Sequence, residues 1–203
     1  TRRELVERID DLAVDLAARG VREGDMVTVA LPNSVDWFVA FGAAWRLGAT
    51  PQPVSSRLPQ REIDAIVELA DPSAVVGVPE DAYPGRACLP IGYRAPHVEN
   101  VDLPDRVSAA WKAPTSGGST GRPKLIVSGD PAQMDDRLPD MLMIGEDGCL
   151  VMPGPLYHNG PLIWSWVAVL NGNHTVVLPR FDAEETLAAI ARHRGQVVYL
   201  VPT

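Results

Sequence analysis

The sequence predicts an α/β fold built from repeated β-α-β units, with a mostly parallel sheet flanked by helices. In two stretches, residues 26–78 and 149–201, short apolar runs alternate with longer segments that have helical spacing. Strands that are joined through helices lie parallel, because a parallel pair requires a long crossover connection. The chain has 203 residues and 46% hydrophobic content, which is enough to bury a core in one large domain or two subdomains.

The first section, residues 1–78, is predicted to hold three helices and three strands. A capping-box pattern from Thr1 to Glu4 begins the first helix, and Gly20 ends it. Pro32-Asn33-Ser34 is typical of a helix cap, and the helix that follows is apolar on every side, which predicts burial. The expected elements are helix 1–19, strand 26–31, a helix ending near Gly48, strand 49–54, helix 59–70 and strand 74–78.

Residues 79–110 are predicted to be an irregular connector. Five prolines fall within residues 79–104, without a helical period and with little strand pattern. Arg94, His97 and Glu99 could form a charged cluster, but a solvated loop face is the favoured interpretation.

The last section, residues 111–203, repeats the α/β pattern around two polar stretches. Asp130 and Pro131 are typical of a helix start, and this helix is expected to run to about Met143. The other expected elements are strand 125–127, strand 149–152, an apolar helix that contains Trp residues at 161–170, strand 173–178, helix 182–193 and strand 196–201.

The first polar stretch is Thr115-Ser116-Gly117-Gly118-Ser119-Thr120-Gly121-Arg122-Pro123-Lys124. Its glycines allow backbone N–H groups to approach a ligand closely, and its hydroxyls and the Lys124 ammonium suit phosphate oxygens. The spacing fits neither a Walker loop nor a dinucleotide fingerprint. A flexible hairpin tip is the alternative, but the Pro123-Lys124 exit between apolar runs favours a phosphate cradle.

These residues resemble the phosphate loop of the adenylate-forming superfamily, which includes acyl- and aryl-CoA synthetases, luciferases and the adenylation domains of peptide synthetases. Ser116 through Lys124 follow its Thr-Ser-Gly-Ser/Thr-Thr-Gly-x-Pro-Lys pattern, with Gly117 where a hydroxyl residue is usual. Gly24-Asp25-Met26-Val27 and Leu47-Gly48-Ala49 add weaker matches in the same order. The resemblance implies catalytic roles for Lys124 and Thr120. It also implies that the triphosphate binds Ser116, Gly117, Gly118, Ser119, Thr120, Gly121 and Lys124.

The second polar stretch, residues 153–161, lies between a strand end and an apolar helix, where α/β sheets bind ligands. In the family this segment lines the pocket for the carboxylate substrate. The resemblance therefore implies an acyl pocket formed by Tyr157, His158, Asn159 and Gly160, although Gly160 stands closer to His158 than in the commonest family spacing. The alternative is a helix cap with a structurally hydrogen-bonded His158.

The resemblance covers residues 1–203 and implies the N-terminal part of an adenylate-forming enzyme's large domain. The implied reaction activates a carboxylic acid with ATP and Mg²⁺ through an acyl-adenylate, and CoA then accepts the acyl group. Acyl-CoA synthetases are the most similar members, and the Ser-Gly-Gly-Ser variant is similar to steroid- and bile-acid-type CoA ligases. The family's remaining nucleotide motifs, hinge and C-terminal Lys lie beyond Thr203, so the chain is expected to be inactive alone.

Three alternatives stay open at this point: a non-catalytic scaffold, an adenylation domain that loads a carrier protein, and, last, a kinase-like transferase. The formal net charge is −8 and there is no basic run, so nucleic acid is not an expected partner. Cys88 and Cys149 lack ligand spacing, which favours free thiols in a reducing cytoplasm and no metal site. No apolar stretch approaches the roughly 20 residues of a spanning helix. A homodimer stays open.

Overall fold

The computed structural model describes residues 1–116 and 123–201, and the chain divides into two compact units. The first unit consists of Thr1, Arg3–Leu31 and Val35–Gln133, and the second of Arg2, Pro32–Ser34 and Met134–Thr203. The division near residue 133 lies within the predicted section 111–203, and the sections 1–78, 79–110 and 111–203 stay a prediction.

A four-stranded sheet in which every strand is parallel to its neighbours forms the centre of the first unit. Its strand order is β2-β1-β3-β4. The strands are β1 (Met26–Val29), β2 (Thr50–Pro53), β3 (Ala74–Val76) and β4 (Ala87–Leu89). The helices are α1 (Arg2–Ala18), α2 (Val35–Arg46) and α3 (Gln60–Ala70). The predicted parallel α/β arrangement is confirmed here.

Local sequence signals explain several of these elements. The Thr1 side chain accepts a hydrogen bond from the Glu4 amide, which completes the predicted capping box of α1. The Trp37 and Phe41 side chains of α2 are fully buried, and their rings stack with centroids 4.6 Å apart. Gly77 has a φ of +107°, and a Cβ there would overlap the Ala30 carbonyl, so only glycine fits this position.

The prediction of an irregular connector over residues 79–110 is wrong at β4. This strand is buried, and its Cys88 lies opposite Val75 of β3. Because the apolar run is only three residues long and Pro90 follows it, its pattern does not stand out in the sequence. The rest of the connector, all of which is described, contains neither helix nor strand.

The charged residues of the connector contact the helices of the first unit. Arg94 forms an ion pair with Asp36 at 2.7 Å, and His97 lies 3.1 Å from the Asp11 carboxylate. Glu99 is exposed. These contacts fasten the connector to α1 and α2, and they do not bring Arg94, His97 and Glu99 together as a cluster.

In the second unit, a three-stranded parallel sheet has the order β8-β7-β9. Two short antiparallel strands of the first unit, β5 (Thr115–Ser116) and β6 (Lys124–Leu125), precede it in the chain. The elements of the second unit are α4 (Leu138–Met141), β7 (Cys149–Met152), α5 (Asn159–Leu170), β8 (His174–Val177), α6 (Ala183–His193) and β9 (Val197–Val198). Cys149 and Val151 of β7 pack with Leu178 and with Ala189 of α6 in the core.

The helix predicted over residues 130–143 is wrong for most of its length, since only α4 is helical. The amide of Ala132 donates to the Ser108 carbonyl at 2.9 Å, so the chain pairs with the connector here instead of forming a helical turn. The amide of Arg137 donates to the Asp135 carboxylate at 2.9 Å. Such local side-chain bonds compete with helix formation.

Within residues 1–116 and 123–201, no helix has both the length and the hydrophobicity needed to cross a bilayer.

Candidate active site

The described ends of the first predicted site segment, Thr115–Ser116 and Lys124, belong to a two-stranded hairpin in the first unit. β5 pairs with β6, with Ser116 directly opposite Lys124. Beyond these strands the pairing continues through three backbone hydrogen bonds of 2.9 to 3.0 Å. They run from the amides of Ile126, Ser128 and Trp111 to the carbonyl oxygens of Pro114, Lys112 and Asp130, respectively. The prediction that strands flank the glycine-rich stretch is therefore confirmed on both sides.

Most of the predicted phosphate-binding residues lie outside the described residues. These are Gly117, Gly118, Ser119, Thr120 and Gly121. Ser116 is half-buried at the end of β5, and Lys124 is exposed at the start of β6. Among the described residues, Lys124 has no carboxylate partner. Its ammonium is therefore available for an anionic ligand as far as the described chain is concerned.

Buried polar groups of the sheet anchor the hairpin. The amide of Ala113 donates to the Pro51 carbonyl of β2 at 3.0 Å. The Gln52 Nε2 donates to the Thr115 hydroxyl at 3.3 Å, and the Gln52 Oε1 accepts from the Thr28 hydroxyl. Because Thr28 and Gln52 are fully buried, this chain of bonds runs through the core from β1 to the base of the glycine-rich stretch.

Lys112 is a buried amine within the same hairpin. Its residue surface is only 8% exposed, and its Nζ lies 3.9 Å from the centre of the Trp111 ring. Burial lowers the pKa of Lys112 to about 8. No carboxylate among the described residues forms an ion pair with Lys112, so the contact with Trp111 is the favourable interaction of its charged form.

The second predicted site segment connects β7 to α5 in the second unit, at the carboxyl edge of the sheet. A turn closes where the His158 amide donates to the Pro155 carbonyl at 3.0 Å, and His158 is then the N-cap residue of α5. The side chain of His158 makes no capping hydrogen bond. Its exposed ring packs against the Tyr157 ring at 4.4 Å, and neither ring nitrogen has a hydrogen-bond partner in the described chain.

Gly160 lies in the first turn of α5, against a tyrosine that follows β9. A Cβ at position 160 would overlap the hydroxyl and ring of Tyr199. The Tyr199 ring also packs against Trp164, with centroids 4.7 Å apart. The segment thus brings Tyr157, His158 and Gly160 to one strand-to-helix junction, and Asn159 is exposed as the first residue of α5. Trp164 and Tyr199 add two aromatic rings beside Gly160.

Asn33 lies within the predicted helix cap Pro32-Asn33-Ser34, and its side chain has partners far away in the chain. Its side chain binds the backbone of Gly154, Leu156 and Leu178, all within the second unit. The Ser34 hydroxyl meanwhile donates to the Pro32 carbonyl at 3.1 Å.

The whole chain matches a known protein family. The model of the family described as "AMP-binding enzyme" matches residues 1–203. The chain belongs to this family of AMP-binding enzymes. The resemblance found in the glycine-rich stretch, which placed the chain in the N-terminal portion of an adenylate-forming enzyme, is thereby confirmed.

Individual relatives agree with the family match. The chain is 29% identical over 211 residues to a feruloyl-CoA synthase of Amycolatopsis sp., a match that covers 98% of this chain and 43% of that protein. It is 30% identical over 206 residues to the 2-succinylbenzoate–CoA ligase of Salmonella typhimurium strain LT2, with 99% and 43% covered. The crystal structure of ATP-bound MatB from Rhodopseudomonas palustris matches with a TM-score of 0.78 at 27% identity, with 94% and 42% covered. The chain thus spans less than half the length of these relatives.

Sequence reasoning missed four residues of these two regions. Gln52 and Lys112 each interrupt an apolar run, and a polar residue in a run that is otherwise buried is a signal of a specific role. Asn33 and Tyr199 carry no comparable signal, because their contacts are with residues more than 30 positions away in the chain.

Proposed function

We propose that this chain is the N-terminal part of an enzyme that activates a carboxylic acid with ATP and then transfers the acyl group to CoA. The match of the AMP-binding family over residues 1–203 carries the proposal, and the paired strands around the glycine-rich stretch support it. The names of the two relatives, a feruloyl-CoA synthase and a 2-succinylbenzoate–CoA ligase, favour CoA as the acceptor. Because the chain spans 43% of those relatives, the proposal concerns the full-length protein.

In the proposed first step, a carboxylate oxygen of the acid attacks the α-phosphorus of ATP, and pyrophosphate leaves as the acyl-adenylate forms. A carboxyl group with a pKa near 4 is already ionised at neutral pH, so the protein does not need a general base. Catalysis then consists of positioning and charge stabilisation. We assign Lys124 and Thr120 to the negative charge of the reacting phosphates, and the other phosphate contacts to Ser116, Gly117, Gly118, Ser119 and Gly121.

Mg²⁺ would enter with the triphosphate, since this ion usually keeps several waters and binds through substrate phosphates and few protein groups. Its charge would balance that of the phosphates. The described residues contain no cluster of three potential metal ligands, and we therefore assign no side chain to the ion.

We propose that Tyr157, His158, Asn159 and Gly160 contact the acid. The lack of a hydrogen-bond partner for the His158 ring in the described chain supports this role, because a structural cap histidine would use a ring nitrogen. In the second step the CoA thiol attacks the acyl carbonyl carbon, AMP leaves, and the thiol proton passes to solvent. The aromatic rings of Trp164 and Tyr199 favour an acid with a flat apolar body.

The test is carboxylate-dependent exchange of labelled pyrophosphate into ATP by the full-length protein. A panel of acids from benzoate to cholate covers both the aromatic acids and the steroid acids suggested by the Ser-Gly-Gly-Ser variant. We expect exchange with one class of acid and much less exchange in the Lys124→Ala variant. Subsequent addition of CoA should release AMP and give a thioester that mass spectrometry detects.

Two other functions remain as outcomes of the same test. A folded protein that binds ATP but supports no exchange with any acid would favour the non-catalytic scaffold. Exchange without thioester formation from CoA would favour transfer to a carrier protein. The 203-residue chain alone should show no ATP-dependent turnover of any acid, and robust activity from it would contradict that expectation.

We further propose that the enzyme acts in the cytoplasm. Cys88 and Cys149 are free and buried thiols, which are typical of proteins kept under reducing conditions. Cell fractionation with an antibody to the chain would test the location.

A further inference from the structure

The side chain of Asn33 binds three peptide groups at one edge of the sheet in the second unit. Its Nδ2 donates to the carbonyl oxygens of Gly154 at 2.8 Å and of Leu178 at 3.0 Å. Its Oδ1 accepts from the amide of Leu156 at 2.9 Å. Both N–H donors and one acceptor position of the amide are therefore used.

The three partners lie where two neighbouring parallel strands end. Gly154 follows β7 by two residues, and Leu178 is the first residue after β8. Leu156 lies inside the turn from Pro155 to His158, and its side chain is fully buried. Asn33 therefore links the backbone of this turn to the carboxyl ends of both strands.

We infer that Asn33 is a positioning residue for the acid: it holds the turn whose last two residues, Tyr157 and His158, contact the substrate in the proposed function. This inference rests on the proposed function. Among the described residues, the one backbone hydrogen bond within the turn is from the His158 amide to the Pro155 carbonyl. Loss of the Leu156 bond would free the turn to shift, and a displacement of about 1 Å at a reacting group can lower activity by about two orders of magnitude.

The positioning role requires both the donors and the acceptor of an amide at position 33. The two N–H groups of Asn33 face carbonyl oxygens, so an aspartate of nearly the same shape would place a carboxylate against both oxygens. Asn33→Asp keeps the acceptor for Leu156 but loses both donors, whereas Asn33→Ala loses all three bonds. We expect both variants to displace the turn.

Asn173 provides a matched control in the same sheet. Its Nδ2 donates to the Gly145 carbonyl at 2.6 Å, and its Oδ1 accepts from Asn171 at 2.9 Å. These residues precede β7 and β8, at the edge opposite to the turn. Asn173→Ala therefore removes comparable bonds from the second unit without contacting the turn.

The experiment compares Asn33→Ala, Asn33→Asp and Asn173→Ala in the full-length protein by pyrophosphate exchange. The acid is whichever of benzoate or cholate gives more exchange with the unaltered protein. We expect both Asn33 variants to raise the KM for the acid about tenfold or more, with the KM for ATP changed less than about twofold. Asn173→Ala should leave both KM values near those of the unaltered protein, even if it lowers the unfolding temperature as much as the Asn33 variants do.

Hydrogen exchange measured by mass spectrometry gives a readout that needs no activity. The peptide 153–162 should exchange faster in both Asn33 variants and at the unaltered rate in Asn173→Ala. Parallel changes of all kinetic constants in Asn33→Ala and Asn173→Ala, or unaltered exchange of this peptide in the Asn33 variants, would overturn the positioning role. Absence of acid-dependent turnover in the unaltered protein, with faster exchange of the peptide in the Asn33 variants, would instead overturn the proposed function.

Discussion

The two candidate regions are held in place by different kinds of contact. A fully buried amide, Gln52, anchors the hairpin of the first unit to the core. It bridges the hydroxyls of Thr28 and Thr115. The turn of the second unit is held at its side by a half-buried amide, Asn33, which binds backbone groups only.

The difference extends to the groups that each region presents. The sequence between β5 and β6 contains hydroxyl residues and glycines, and Lys124 at the start of β6 is exposed. The turn leads to an imidazole and aromatic rings. Charged donors suit phosphate, and flat apolar surfaces suit the body of an organic acid. Substitutions in the hairpin should therefore act on ATP, and substitutions at the turn should act on the acid.

Lys124→Ala should give the largest effect, and unchanged activity would contradict the assignment of the hairpin to ATP. We expect acid-dependent pyrophosphate exchange to fall about 10²- to 10³-fold, because the variant loses the charge that we propose stabilises the reacting phosphates. The unfolding temperature should not change, since Lys124 is exposed. Val127→Ala, a change at a 53% exposed side chain of the same hairpin, is the control and should keep its activity. Equal exchange in the two variants would contradict the assignment.

Gly160→Ala tests the turn region. The added methyl group would overlap the Tyr199 ring, which must then move, and overpacking of this kind costs about 1–3 kcal/mol of stability. We expect the KM for the acid to rise about tenfold and the KM for ATP to stay nearly constant.

The rescue by a second substitution makes this prediction specific. Tyr199→Ala should restore stability in the Gly160→Ala background, because it removes the ring, whereas Tyr199→Phe should not, because the ring carbons remain in the overlap. A double-mutant cycle measures this coupling. Additive effects of Gly160→Ala and Tyr199→Ala would show that the two positions do not interact.

Much of the fold could be predicted because its signals are local. In the part of the chain that the structure describes, apolar runs and helical spacing predicted six of the seven parallel strands and five of the six helices to within a few residues. The failures arose where a tertiary contact decides the structure. β4 is a three-residue strand that only its pairing with β3 defines. The segment before α4 bonds to Ser108 instead of continuing a helix.

The same reasoning applies to the candidate site. A glycine-rich phosphate loop depends on residue types at fixed spacing, so Ser116 and Lys124 could be proposed from the sequence, and their role in binding phosphate stays a prediction. The contact of Gly160 with Tyr199 joins residues 39 positions apart, and no local pattern encodes it. Asn33 illustrates the limit further, since a cap pattern predicted its place in the chain correctly but not its partners.

Gln52→Leu tests whether the buried amide anchors the hairpin, because it removes that anchor from the core. Leucine has a similar volume but leaves the Thr28 and Thr115 hydroxyls without their partner, which costs about 1–3 kcal/mol in the free energy of unfolding. Urea unfolding measures the loss, and the KM for ATP should rise while the KM for the acid does not. Gln133→Leu, at an exposed position, is the control.

The partner substitution distinguishes lost hydrogen bonds from simple repacking. Adding Thr28→Val to Gln52→Leu removes one of the unpaired hydroxyls, so the double variant should lose less stability than the sum of the single variants. A double variant that loses the full sum would indicate that the Thr28–Gln52 bond does not stabilise the fold.

Lys112→Met should act on stability alone, and its effect is a gain of stability. Burial lowers the pKa of Lys112 to about 8 in the folded chain, whereas an unfolded lysine titrates near 10.4, so the folded chain disfavours the charge at neutral pH. We expect Met to raise the free energy of unfolding by about 1–3 kcal/mol at pH 7, reduced by the lost contact with Trp111. Between pH 8 and 10.4 the unfolded chain binds more protons, so the unaltered protein gains stability as pH rises and the advantage of Met should shrink. A stability difference between the two proteins that stays constant over this pH range would contradict the burial of Lys112.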